Sequence, residues 1–170
     1  MSDPLNYLSN VPGNQTSYWK ECPWFLVQYQ NNDGSYNVGD GAEYQMFTRV
    51  ADSVPQVWHS IVAPIESLGD GTFQMHFDGP LVLQFKTRLK DDGTGVEFRL
   101  KVNDNVVHTY RTSLVHNGGC VDVLMNHSLV VAQSDIVKIN VQAYINVGTA
   151  TIQDFDDYGN PNTLIYFTAI

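Results

Sequence analysis

The sequence predicts an all-β protein folded as a single antiparallel β-sandwich. Three observations carry the prediction. Segments 73–77, 81–85, 96–102, 136–141 and 164–168 place apolar residues at every second position. That alternation gives a strand one buried and one wet face. Turn signals rich in Gly, Asn, Asp and Pro recur roughly every 8–12 residues, the rhythm of a sandwich or barrel. Nine Tyr and eight Phe suit a pleated surface better than a helix, and no stretch holds apolar residues at helical spacing over three turns.

Each element follows from local chemistry. Residues 1–22 are polar and rich in Asn, Ser and Pro, which reads as an extended arm ahead of a domain spanning 23–170. Strands are expected at 24–29, 43–50 and 57–62, the first closed by the turn Asn31-Asn32-Asp33-Gly34, the last bounded by Pro55 and Pro64. Gly69-Asp70-Gly71 opens a strand to Phe77, and Asp78-Gly79-Pro80 reads as a tight turn before a strand at 81–89. Residues 91–95 are expected to close a hairpin into 96–102, and Asn103-Asp104-Asn105 a second one into 106–114. Beyond Asn117-Gly118-Gly119 come segments 120–125 and 129–131, then Ser134-Asp135 and a long strand at 136–145. Tyr158-Gly159-Asn160-Pro161 is the last turn, before a strand at 163–169.

Composition bounds the function. At 170 residues and 43% hydrophobic, the chain supports one domain with a real core rather than disorder. A net charge of −9, from 18 acidic and 9 basic residues, argues against coating nucleic acid, which needs clustered Lys and Arg. The first 19 residues hold neither, so the basic arm of a genome-packaging shell is missing. The N-terminus shows no charged start and apolar core of a secretory signal, and no apolar run nears the ~20 residues that span a bilayer. Synthesis in a host cytoplasm and no membrane insertion are therefore expected. The sequons at Asn14 and Asn126 then read as chance. Cys22 and Cys120 stand 98 residues apart; free thiols are the simpler reading, and a disulfide stays open.

No nucleophile elbow, zincin helix, phosphate loop or dinucleotide fingerprint is present, so no catalytic residue and no organic cofactor is expected. His59, His76, His108, His116 and His127 are scattered. Asp154, Asp156 and Asp157 form an acidic loop, a calcium candidate because hard cations need several close oxygens. Six of the nine basic residues fall at 86–111. On two neighbouring hairpin strands, Lys86, Arg88 and Lys90 would join Arg99 and Lys101 in one basic face for an acidic partner, while an ordinary solvated face is the plainer reading. Tyr7, Tyr18, Trp19 and Trp24 cluster near the arm and could anchor it in a groove of a neighbour.

The order of motifs adds a resemblance. Gly71-Thr72-Phe73 with Asp78-Gly79-Pro80 and Phe85, then Leu100-Lys-Val-Asn103-Asp-Asn-Val106, resemble the glycine-turn and hairpin patterns of the C1q/TNF-like jelly-roll family. Ser128-Leu-Val through Ser134-Asp135-Ile-Val137 resembles its "G-D-x-V" approach, and Leu164-Ile165-Tyr-Phe167 its closing strand. The likeness covers about 100 residues, while residues 1–60 match poorly; Ser134 replaces a Gly, and Asn162 and Thr163 stand where another belongs. The resemblance implies a jelly-roll sandwich of ten strands that forms a homotrimer and sometimes holds calcium at its apex. A plain viral jelly roll would read almost the same. The expectation is a non-enzymatic structural protein on a bacteriophage virion, a decoration, cement, head-fibre or tail-tip protein whose arm attaches it to a capsid or tail protein. The alternatives are a carbohydrate- or receptor-binding module, with Trp58 or loop-tip Tyr stacking on surface glycans, and a small viral coat protein.

Overall fold

The computed structural model describes residues 25–39, 41–50, 56–57, 63–91, 93–112, 119–145 and 148–169. They form β1 (Leu26–Gln30), β2 (Tyr36–Val38), β3 (Tyr44–Gln45), β4 (Gln56–Val57), β5 (Ile65–Ser67), β6 (Thr72–Met75) and β7 (Gly79–Asp91). There follow β8 (Gly95–Val102), β9 (Asn105–Arg111), β10 (Gly119–Val131), β11 (Ile136–Ile145), β12 (Ala150–Gln153) and β13 (Leu164–Ala169). The arm, with Tyr7, Tyr18, Trp19, Cys22 and Trp24, lies outside the described residues, as do Trp58, His59 and His116.

Two antiparallel sheets result. In the first, β10 runs along the whole of β7, from Gly119 opposite Asp91 to Val131 opposite Gly79. The other side of β7 is shared end to end: β13 pairs with its first half and β12 with Arg88–Asp91. β1 and then β4 extend the sheet beyond β13, and β2 extends it beyond β12. The second sheet runs β5-β6-β11-β8-β9, with β3 beside β11. Between them sits an aromatic core in which Phe73 meets Phe167 at 5.3 Å between ring centres, Phe47 meets Phe73 at 5.7 Å and Phe85 meets Phe98 at 5.3 Å. Edge-to-face and tilted contacts of this kind add to the burial energy, and truncating one such Phe to Ala costs about 3–5 kcal/mol.

All five alternating segments become strands. The turn at 103–105 is the predicted hairpin: Asn103 (φ 49°) and Asp104 (φ 66°) both take the left-handed conformation that a two-residue primed turn demands. Elsewhere the structure corrects the sequence. Residues 91–95 close no hairpin, because β7 and β8 belong to different sheets. The crossing sets the apolar face of β8 (Val96, Phe98, Leu100) against that of β7 instead of beside it, which closes the core. The strand expected at 43–50 shrinks to β3, since Phe47 turns left-handed (φ 62°) to bury its ring. Segments 120–125 and 129–131 are one strand, β10. Gly79 starts β7 rather than a tight turn, and β2, β5 and β12 went unpredicted.

Two positive-φ positions make opposite predictions. Gly71 has φ 84°, and a Cβ there would lie 2.5 Å from the Met46 carbonyl oxygen. Gly71→Ala therefore destabilises by more than about 2 kcal/mol in urea denaturation. Ser134, where the C1q/TNF-like motif has a Gly, holds φ 76° without the freedom glycine has. Ser134→Gly is expected to stabilise by about 1 kcal/mol, read as a higher denaturation midpoint at unchanged m-value.

Candidate functional site

The outer faces of the two sheets differ in electrostatics. On the second sheet, charges are present and matched. Glu97 of β8 is only 2% exposed and accepts hydrogen bonds from Arg99 and from Arg111 Nε at 2.7 Å. Burial pushes its carboxyl up, but the Arg111 and Arg99 bonds outweigh this and leave it below its ordinary value. Lys101 Nζ lies 2.6 Å from Glu43, Lys138 pairs with Asp104, and the Arg111 guanidinium sits 5.1 Å above the Tyr144 ring. The charged groups lining a recess of about 550 Å³, Glu97, Arg99 and Arg111, are thus paired with one another.

The first sheet presents the opposite. Strand alternation turns Leu26 and Gln28 of β1, Pro80, Val82 and Gln84 of β7, and Tyr166 and Thr168 of β13 outward. Asn126, Ser128 and Val130 of β10 complete the face, and Leu124, opposite Lys86, borders it. Register aligns them in rows: Asn126, Gln84, Tyr166 and Gln28; then Ser128, Val82, Thr168 and Leu26; then Val130 and Pro80. No charge interrupts these rows. Val130 is 83% exposed, Leu124 58% and Leu26 39%.

Beyond Gln84, β7 turns cationic through Lys86, Arg88 and Lys90, with Arg88 Nε 3.3 Å from Asp122 on β10. Arg99 and Lys101 stand on the other sheet. The five basic residues therefore share no face.

The acidic loop is also divided. Asp154 is buried, where Asn31 Nδ2 bonds both its oxygens at 3.0 and 3.1 Å. Thr163 bonds it as well, and the Thr87 and Thr163 hydroxyls lie 2.7 Å apart. Burial pushes its carboxyl up to about 6 against those bonds. Asp156 accepts from the backbone N–H groups of Tyr158 and Asn160 and from the Asn160 side chain, which holds its carboxyl below the usual value. Among the described residues no three His, Cys, Asp or Glu gather to hold a metal, so Asp154, Asp156 and Asp157 do not converge as the calcium reading required.

One constellation escaped the sequence. His108 of β9 and His127 of β10 stack at 4.5 Å between ring centres, 24° from parallel. The two strands are the edges of opposite sheets, so the rings bridge the open side of the sandwich. Burial, then the nearby His108, hold His127 below its ordinary value. Period two could have found the pair, since His127 sits in phase with Met125 and Leu129 once β10 is read as one strand.

No protein-family model and no curated protein matches the sequence. Solved structures do. The crystal structure of murine APRIL at pH 8.5 superposes with a TM-score of 0.58 at 8% identity, over 86% of this chain and 99% of that one. Eiger TNF from S. frugiperda gives 0.58 at 12% identity, over 87% and 93%. The fold is a TNF-like jelly roll. On this jelly roll the two ends of β7 divide an uncharged face from a charged one.

The pH profile of stability has two opposed parts. Asp154 titrates near 3.8 unfolded and about 6 folded, so its stabilisation is full below about pH 4 and is lost as pH rises to 6. The gap corresponds to about 3 kcal/mol. His127 has the reverse sign: its contribution is full above about pH 6.5 and is lost as pH falls through its depressed folded value. Asp154→Asn should reduce the gain on acidification, and His127→Phe the part of the loss that sets in below about pH 6.5, in urea midpoints measured from pH 4 to 8.

Proposed function

We propose that this chain is a non-catalytic recognition module that works as a homo-oligomer, its copies meeting through the outer face of the first sheet. The carrying observation is the uncharged patch from Leu26 across Val82 and Gln84 to Val130. A chain of net charge −9 repels its copies, and contact is least opposed where no charge must be desolvated. The charged face of the second sheet already spends its ions internally and has less to offer a second copy. Three copies is the number the C1q/TNF resemblance implies. Attachment to the exterior of a virion, with residues 1–22 as tether, is a further step carried by the sequence reading alone.

Light scattering on the full chain is expected to give three chain masses, and a monomer would overturn the proposal. Val82→Glu with Val130→Glu should shift the mass towards monomer while the circular dichroism spectrum stays that of a β-sandwich. Deletion of residues 1–22 should leave the oligomer intact, because the patch lies entirely within the sandwich.

A further inference from the structure

A second feature of the first sheet lies at the cationic end of β7. Arg88 and Lys90, with Cys120 and Gln153 on the flanking strands, floor a recess of about 430 Å³. The loop after β12 forms its wall and brings Asp156, Asp157 and Tyr158 to it. Tyr158 is 91% exposed, so its ring is committed to nothing inside the fold.

That exposure is built, not frayed. The loop is rooted by the buried Asp154, whose carbonyl accepts from the Asn162 N–H at 2.6 Å. At the tip, Asp156 takes the Tyr158 and Asn160 backbone N–H groups at 2.9 and 2.8 Å, while the Asp156 N–H bonds the Asn160 carbonyl at 2.9 Å. Gly159 supplies the left-handed residue (φ 82°) that the turn needs, and Phe155 bridges to Pro161. A loop backbone held by so many bonds fixes where the ring is presented, which lowers the entropic cost of receiving a ligand.

The polar groups narrow the ligand class. The lining pairs two cations (Arg88, Lys90) with two acids (Asp156, Asp157), and the whole chain is acidic. No net positive field draws in an anion. What remains is a small space with closely set donors on Arg88 and Lys90, an acceptor on Asp157, both on Gln153, and an aromatic plane. A ring with one apolar face and several vicinal hydroxyls uses all of them. We propose that this recess binds a neutral hexopyranose, its C–H face on Tyr158 and its hydroxyls on Lys90, Arg88, Asp157 and Gln153. The inference rests on the recognition half of the function above and names what is recognised.

The test uses the full chain with methyl glycosides of glucose, galactose, mannose and N-acetylglucosamine, with glucuronic acid and sulfate alongside, in saturation-transfer NMR and calorimetry. At least one neutral glycoside should bind with a millimolar dissociation constant, with saturation strongest at ring C–H protons and little change as salt rises tenfold. Tyr158→Ala should weaken it at least about tenfold, since an exposed aromatic anchor carries a large share of a small ligand's affinity, with the thermal midpoint and oligomer mass unchanged. Lys101→Ala, on the far sheet, should leave it alone. Binding of only glucuronate or sulfate, abolished by salt, would overturn the proposal in favour of an anion site. Absence of any neutral binding at about 50 mM, or indifference to Tyr158→Ala, would overturn it outright. A monomer that binds sugar defeats the oligomer reading alone, and an oligomer that binds none defeats this one alone.

Discussion

The structure depends on the double pairing of β7. This strand (Gly79–Asp91) is bonded along its full length by β10 on one side and by β13 and β12 in series on the other. Its inward residues Leu81, Leu83, Phe85 and Leu89 are fully buried. Its outward residues decide what each region can meet: Pro80, Val82 and Gln84 without charge, then Lys86, Arg88 and Lys90. Because side chains alternate with period two, a one-residue slip would bring Lys86 and Arg88 into the core and Phe85 into water. Register here is thus both a stability and a functional constraint.

At the junction of β12 and β13 the sheet meets a polar knot. Thr87 is the β7 residue that falls between the two partners, and its inward hydroxyl bonds Thr163, which in turn bonds Asp154. Asn31, just after β1, completes the group. A buried carboxylate is costly, and the elevated titration of Asp154 shows that the hydrogen bonds do not fully offset its desolvation. What the knot provides is position: it ties the ends of β1, β12 and β13 to one point and roots the loop that carries Tyr158. Fold and recess share that anchor.

The sandwich was legible because alternation is a local signal, and β7, β8, β11 and β13 each carry several cycles of it. The short strands were not, since three residues such as Ile65–Ser67 show no period. The connection at 91–95 misled for a physical reason. A Gly-rich turn between two alternating strands has the same composition whether it folds back within a sheet or crosses to the other. The choice lies in where the apolar faces find their partners, which is tertiary. That single ambiguity merged two separate basic groups into one face. The acidic loop misled similarly, since spacing gives no hint that Asp154 points inward while Asp156 caps its own turn. Sequence did mark Ser134 as a glycine position, and the backbone conformation there agrees.

The two outer faces can be read as two ways of handling charge in an acidic chain. On the second sheet, Glu97 is buried between two arginines, and removing both would strand a desolvated charge, so this face is fixed by its own electrostatics. On the first sheet, most groups have no such internal obligation: Val130 and Leu124 face water, and Lys86 and Lys90 have no ion-pair partner among the described residues. A face whose groups are satisfied internally gains little by binding, because every new contact must first break an old one. A face of unspent groups gains by each contact made. The asymmetry between the sheets is therefore what favours placing the proposed association and the proposed sugar site on the sheet built on β7, at its uncharged and its charged end respectively.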